Sequence, residues 1–345
     1  MSDAIIASIV LWGFVFIYSV MATMDFGAGF WSMVYINRTK TGATNIANRY
    51  LSPTWEVTNT FIVALVVAVY SMFPGAAYTL GTILLIPGSI ILLLLALRSA
   101  FLVFSHIAEE YKKILTYISG IAGILLPALL ISVLPITHGN FVVFEGNIQT
   151  LDLGKLFTSP NEYAFIGFAI SSTLFLSSLL LSDYSKVSGE IEAYRVYRKD
   201  AMITGPISLV MAFLIMLTLK QEANWIYIKM MDDLPYLILS VICFVIAGAA
   251  LYLPHFSKNN EMGMPRVAVI AVTLQYLLAS LVYGRAHLPY MVYPHVTIES
   301  GFTDPNSFRA IFASYIAGFA ILFPGFIYFW KMFMHDNRYL QKKQQ

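Results

Sequence analysis

The sequence predicts an all-α polytopic membrane protein with nine transmembrane helices, N-terminus outside and C-terminus inside. Three observations predict it. Of the 345 residues, 58% are hydrophobic and only 12% charged, and the mean hydropathy is +0.72. A soluble domain carries about 25% charged residues. The apolar residues fall in nine runs, roughly 4–34, 57–73, 77–104, 114–136, 163–182, 201–219, 235–254, 267–288 and 309–331. A helix needs about 20 such residues to cross a bilayer. Barrel strands need only about 10, with alternating polarity. Lipid offers backbone groups no partner, so each run must be helical. Finally, with the N-terminus outside, fifteen of the 21 lysines and arginines fall on inside segments and five on outside ones, with Arg98 within the third run. That asymmetry orients the chain.

The first run has no basic segment and no small-residue cleavage pattern ahead of it, so it reads as a retained helix rather than a signal peptide. Late in it stands Asp25, followed by Gly27 and Gly29. A carboxylate near the centre of a span costs roughly 2.5–3.5 kcal/mol, which makes it a functional candidate. Small residues beside it let another helix approach closely. The second run opens with Trp55-Glu56 and the polar stretch Thr58-Asn59-Thr60. The third holds Pro87-Gly88 and Arg98, and the fourth Pro127. The sixth and ninth hold Gly205-Pro206 and Pro324-Gly325. Such breaks either kink a packed helix or open backbone at a binding site. The seventh run contains Cys243, the single cysteine, so no disulfide or CxxC metal site forms within the chain. The outside loops 137–162 and 289–308 carry prolines, glycines and mixed charges, with no sign of a soluble cofactor domain. Neither GxxxxGK[ST] nor GxGxxG occurs, and the charge pattern follows membrane sidedness rather than a nucleic-acid partner. Nine spans are consistent with a first four-helix bundle at 1–136, a peripheral helix at 163–182 and a second four-helix bundle at 201–331.

Three ionisable side chains fall in or at the edge of spans: Asp25, Glu56 and Arg98. All three sit toward the inside half, on three consecutive helices, which suggests a cluster. An adjacent arginine favours the carboxylate and burial favours the neutral acid; the sequence leaves open which dominates at Asp25. A carboxyl there could pass protons inward from the cytoplasmic side. The alternatives are structural. Asp25 could tie two helices together, Glu56 could favour a helix N-terminus, and Arg98 could snorkel to the inside interface. Thr58 and Asn59 could line a water path or bridge to a neighbouring helix. The six histidines, at 106, 138, 255, 287, 295 and 335, fall in loops or at span ends. A haem inside a bundle needs inward-facing axial ligands, so no haem is expected on this chain. His287 and His295 share a loop with Glu299 and Asp304, but their spacing matches no strong zinc pattern, and no metal site is assigned.

The order Asp25-Phe26-Gly27-Ala28-Gly29-Phe30, Pro53-Thr54-Trp55-Glu56, Phe73-Pro74 with Tyr78, and a long apolar span ending at Arg98 resembles subunit II of cytochrome bd-type quinol oxidases. The motifs cover about the first hundred residues; the rest matches in hydropathy and span count. Ser105-His106 stands where many members carry a further arginine, and Phe61 where many carry a second tryptophan. These departures resemble a shorter, Gram-positive-like branch. The resemblance implies a multi-pass protein of the bacterial cytoplasmic membrane, paired with a haem-bearing subunit I. That partner would hold two b-type haems and haem d, oxidise quinol and reduce oxygen to water. It further implies that Asp25 and Glu56 belong to a cytoplasmic-side proton route; the residues themselves add Thr58 and Asn59 as candidates to line its entry and Arg98 as a candidate charge partner. A small single-helix accessory subunit, membrane lipid and a quinone are further partners it allows. A proton-coupled secondary transporter is the alternative reading of the same buried acid and Pro-Gly breaks.

Overall fold

In the computed structural model, residues 2–104, 109–145, 148–253 and 263–335 are described. Ser105-His106, His255 and the inside cations Lys258, Arg338, Lys342 and Lys343 lie outside them. Among the described residues, nine helices are long and apolar enough to span a membrane: Asp3–Tyr35, Thr54–Met72, Leu85–Phe104, Lys112–Thr137, Pro160–Val187, Ile191–Glu222, Leu234–Tyr252, Pro265–His287 and Pro305–Gly325. They are called spans one to nine below, and "inner" and "outer" follow the sidedness expected from the sequence.

Local sequence sets the helix ends. Ser2 caps span one by accepting from the Ile5 N–H at 3.3 Å. Ser159 caps span five, accepting from the Glu162 N–H at 3.1 Å, with Pro160 in the first turn where its missing N–H costs nothing. The expected third run, 77–104, is divided. Pro74 starts a separate short helix, Pro74–Ile83, and span three begins only at Leu85. Pro87 therefore lies in a first turn rather than at a mid-span break. Pro127, Pro206 and Pro324 do sit inside helices.

Packing changes one expectation about architecture. Residues 163–182 were expected to form the peripheral helix, but span five is the most buried of the nine. Of its most apolar window 67% is buried, against 6% for span nine. Span five packs on spans one, four, six and eight. Its composition explains this. Ser171, Ser172, Thr173, Ser177, Ser178, Ser182 and Ser185 are all buried, and most of these hydroxyls return to carbonyls of their own helix. Small side chains let helices approach closely. At Gly27 of span one, a Cβ would overlap the Ser177 side chain. Spans one to four pack together, spans five to eight pack together, and spans one and five join the two groups. Span nine packs on spans one and two.

The outer loops are structured. Val142–Glu145 pairs antiparallel with Ile148–Leu151, and Tyr290–Val292 with Val296–Thr297. The two loops meet where the Tyr293 N–H donates to the Thr137 carbonyl at 3.0 Å. Gly139, with φ +91°, lies against the Tyr293 carbonyl, where any side chain would collide.

Candidate functional site

Asp25 reaches the interior of the first bundle from span one. Its Oδ2 accepts from Arg98 Nη1 at 2.8 Å, with side-chain exposures of 2% and 3%. Arg98 Nη2 donates to the Asp25 backbone carbonyl at 3.0 Å. The guanidinium also lies over the Phe26 ring, 5.0 Å from its centroid. Gly29, one turn on from Asp25, makes room: a Cβ there would meet Arg98 Nη2 at 3.4 Å and Ser119 Oγ at 3.7 Å. Arg98 therefore does not snorkel to the interface; it is a buried partner of Asp25.

Span two closes the inner side. Thr54 and Thr58 are buried, and Thr54 stands beside the Asp25 carboxyl. Their hydroxyls donate along their own helix, Thr54 to the Tyr50 carbonyl and Thr58 to the Thr54 carbonyl, each at 3.1 Å. Asn59 is half-buried and donates to Ser99 Oγ at 3.3 Å, tying span two to span three. Glu56 is exposed. It lies two residues from Thr54 and two from Thr58, so about 200° round the helix from each. The expected three-charge cluster is thus a pair, with Glu56 on the opposite face of span two.

Asp25 Oδ1, Arg98 Nε and Ser119 Oγ, and Tyr18 OH two turns earlier on span one, are buried without a hydrogen-bond partner in the protein. The pair can present a carboxylate oxygen not engaged by the arginine, which is what a proton acceptor needs. Sequence reasoning missed Tyr18, Thr54 and Ser119. Tyr18 and Ser119 are uncharged residues within apolar runs and Thr54 lies just ahead of the second run, and the only available signal was spacing: 18 and 25 are two turns apart on one face.

A second buried polar group lies at the outer end of the second bundle. His138 Nε2 meets Tyr283 OH at 2.7 Å, and its Nδ1 lies 3.4 Å from Asn161 Nδ2. Thr218 donates to Asn161 Oδ1 at 3.0 Å. His287 Nε2 lies 3.3 Å from Thr137 Oγ1, and its Nδ1 is 2.8 Å from the Tyr290 carbonyl. Burial first, and the nearby His287 second, hold the His138 imidazole well below the ordinary histidine range. Ser132 donates to Glu162 Oε1. Both ring nitrogens of both histidines have polar partners within the chain. Among the described residues no three His, Cys, Asp or Glu side chains converge as metal ligands.

Residues 4–333 match the family of cytochrome bd terminal oxidase subunit II. The chain is 63% identical over 343 residues to a Bacillus subtilis (strain 168) protein named "Putative cytochrome bd menaquinol oxidase subunit II", covering 99% of each. It also superposes on a chain of the bd oxidase structure from Geobacillus thermodenitrificans with a TM-score of 0.82 and 32% identity, covering 97% of this chain and 100% of that one.

Proposed function

Because the chain belongs to the cytochrome bd terminal oxidase subunit II family, we propose that it supports a haem-bearing subunit I and supplies that subunit with cytoplasmic protons through Asp25. It is a subunit of an oxidoreductase, and a multi-pass integral protein of the bacterial membrane. In this reading the redox chemistry belongs to the partner. Subunit I carries two b-type haems and haem d, oxidises a quinol of the menaquinol type named for the Bacillus relative, and reduces oxygen to water. Subunit II ligates no haem. A single-helix accessory subunit and lipid complete the assembly.

The observation that carries the proton reading is the buried Asp25–Arg98 pair with one carboxylate oxygen left over. A pair held only for structure would gain most by engaging both oxygens, since buried charges are stabilised by complete hydrogen bonding. Arg98 fixes the position of the carboxyl, and Thr54 and Thr58 make the inner approach polar. Thr58 and Asn59 border that approach on span two. Glu56, on the far face of the same helix, serves as an acidic inlet where span two meets the partner. With the N-terminus outside and the C-terminus inside, as the lysine and arginine asymmetry of the sequence supports, this approach is on the cytoplasmic side.

Replacing Asp25 by Asn keeps shape and removes the titrating group. In the purified oxidase this variant is expected to retain its haem complement while oxygen-reduction turnover falls roughly a hundredfold, the low side of what a positioned proton-transfer group contributes. Unchanged turnover with full haem content would remove Asp25 from the route. Loss of haem and turnover together would make it a structural residue.

A further inference from the structure

The inner ends of spans one and six carry a cluster of oxidisable rings that the proton reading does not use. Trp31 and Tyr35 stand one turn apart on span one and stack, with ring centroids 6.0 Å apart and planes inclined by 16°. Tyr197 of span six meets both edge-on, at 6.4 and 5.9 Å. All three rings are buried. The Tyr35 hydroxyl donates to Asp200 Oδ2 on span six at 2.7 Å. Asp200 is half-buried. The exposed Arg38 lies over the Tyr35 ring, 5.5 Å from its centroid, so the cluster meets the inner surface there.

The three rings are bonded to groups of different chemistry. Tyr197 donates to the Ala43 carbonyl at 2.7 Å, and Trp31 Nε1 to Ser177 Oγ at 3.0 Å. A carbonyl and a hydroxyl accept a hydrogen bond but do not take the proton, whereas a carboxylate does both. Of the three rings, Tyr35 is the one bonded to a base. A phenol that loses an electron becomes a very strong acid. A carboxylate already bonded to its proton therefore lets electron and proton leave together at lower cost than the electron alone. Near-parallel rings this close supply the electronic overlap by which the electron moves. We propose that Tyr35 is a redox-active tyrosine, with Asp200 as its proton acceptor and Trp31 as its electron relay, and that it draws stray oxidising equivalents of an oxygen-reducing complex to the inner surface. The proposal rests on the chain being an oxidase subunit and is independent of the proton reading of Asp25.

Electrons and protons balance at each step. A peroxide-derived one-electron oxidant takes an electron from Trp31 and leaves its radical cation. Tyr35 gives one electron to Trp31 and its hydroxyl proton to Asp200 Oδ2; the phenolic O–H bond breaks and a carboxyl O–H bond forms. Trp31 is restored, and a neutral tyrosyl radical faces a neutral acid. A thiolate reductant at the inner surface then supplies one electron, becoming a thiyl radical, while Asp200 returns the proton to Tyr35. Tyr197, without a base for its proton, packs the pair and carries no radical.

The probe is hydrogen peroxide, mixed with the intact two-subunit oxidase and freeze-quenched. Electron paramagnetic resonance is expected to show a tyrosyl radical whose spectrum narrows when ring-deuterated tyrosine is incorporated, and whose hydrogen bond carries an exchangeable proton. Tyr35→Phe is expected to remove most of that signal. Asp200→Asn keeps a carbonyl oxygen to accept from Tyr35, and so keeps the tie between the two spans, but removes the base. It is expected to lower the tyrosyl yield roughly tenfold, the scale on which one charge-assisted hydrogen bond changes a rate, at unchanged haem content. Both variants should lose oxygen-reduction turnover in peroxide several times faster than the unmodified protein. A tyrosyl signal unchanged by Tyr35→Phe, or no tyrosyl signal at all, overturns the proposal. So does an Asp200→Asn protein that matches the unmodified one in yield and in survival, which would make the Tyr35–Asp200 bond a structural tie. If a variant assembles poorly, spin trapping in the unmodified oxidase decides. Mass spectrometry is expected to find adducts on the peptide that holds Trp31 and Tyr35, and adducts only elsewhere overturn the assignment.

Discussion

Two buried polar regions of this chain solve the same physical problem differently. In the first bundle a full ion pair, Asp25 and Arg98, sits at 2% and 3% side-chain exposure and leaves polar atoms unpaired around it. At the outer end of the second bundle the groups are mostly neutral. There His138, Tyr283, Asn161 and Thr218 hand hydrogen bonds to one another, and His287 beside them bonds Thr137 and the Tyr290 carbonyl. Neutral groups lose less on burial than charges, and a network that pairs its members holds two structured loops to a helix bundle. A charged pair with spare valences is an expensive way to hold helices together. The difference points to a structural role outside and a chemical role within the first bundle.

The largest expected effect tests the charged region. Arg98→Met leaves Asp25 as an uncompensated buried acid and should cost about 3–5 kcal/mol. The assembled oxidase would then be recovered in low yield and lose its haem signal at much lower temperature. Adding Asp25→Asn to Arg98→Met removes the second charge and should restore most of that stability, though not turnover. If Arg98→Met alone melted with the unmodified protein, the pair would not be an ion pair in the sense that separates the two regions.

The outer network should respond more gently, and to pH. Tyr283→Phe leaves the buried His138 Nε2 without its 2.7 Å partner, a loss of about 1–3 kcal/mol. His138 is held neutral by burial, whereas in the unfolded chain it titrates near the ordinary value of about 6.5. The unfolded state therefore binds more protons below that pH. Stability should be fully present above about pH 6.5 and decline as the pH falls below it. Melting temperatures of the solubilised complex at neutral and mildly acid pH measure this slope. It should flatten in His138→Phe, and an unchanged slope there would assign the acid sensitivity to another group.

What could be read in the sequence follows the same division. Charge in an apolar run is conspicuous, so Asp25 and Arg98 stood out, and apolar length alone marked all nine spans. The outer network was invisible because its members are neutral, lie at span ends and come from residues as distant as 138 and 283. The centrality of span five was also hidden. Hydropathy reports that a helix is apolar enough to insert, not what covers it, and only the structure sets Gly27 against Ser177. The division at Leu84 escaped because Pro74–Ile83 and Leu85–Phe104 are both apolar and only backbone geometry separates them. Glu56 was misjudged by depth alone: residues at similar depth cluster only if they share a helix face.

Glu56 gives the smallest expected effect and the sharpest use of the comparison. It belongs to neither buried region, being exposed on the face of span two opposite Thr54 and Thr58. Surface substitutions usually change stability by no more than about 0.5 kcal/mol, so Glu56→Gln should leave melting and haem content unchanged. If the acid serves as the inlet to the Asp25 route, turnover in Glu56→Gln should still drop a few-fold. The drop should be greatest at high pH, where protons are scarce and an acidic collector matters most. A Glu56→Gln/Asp25→Asn double variant should then be no slower than Asp25→Asn alone, because both changes interrupt one path. Independent, multiplying losses would place Glu56 on a different path, and the route to Asp25 would have to begin among the buried threonines of span two instead.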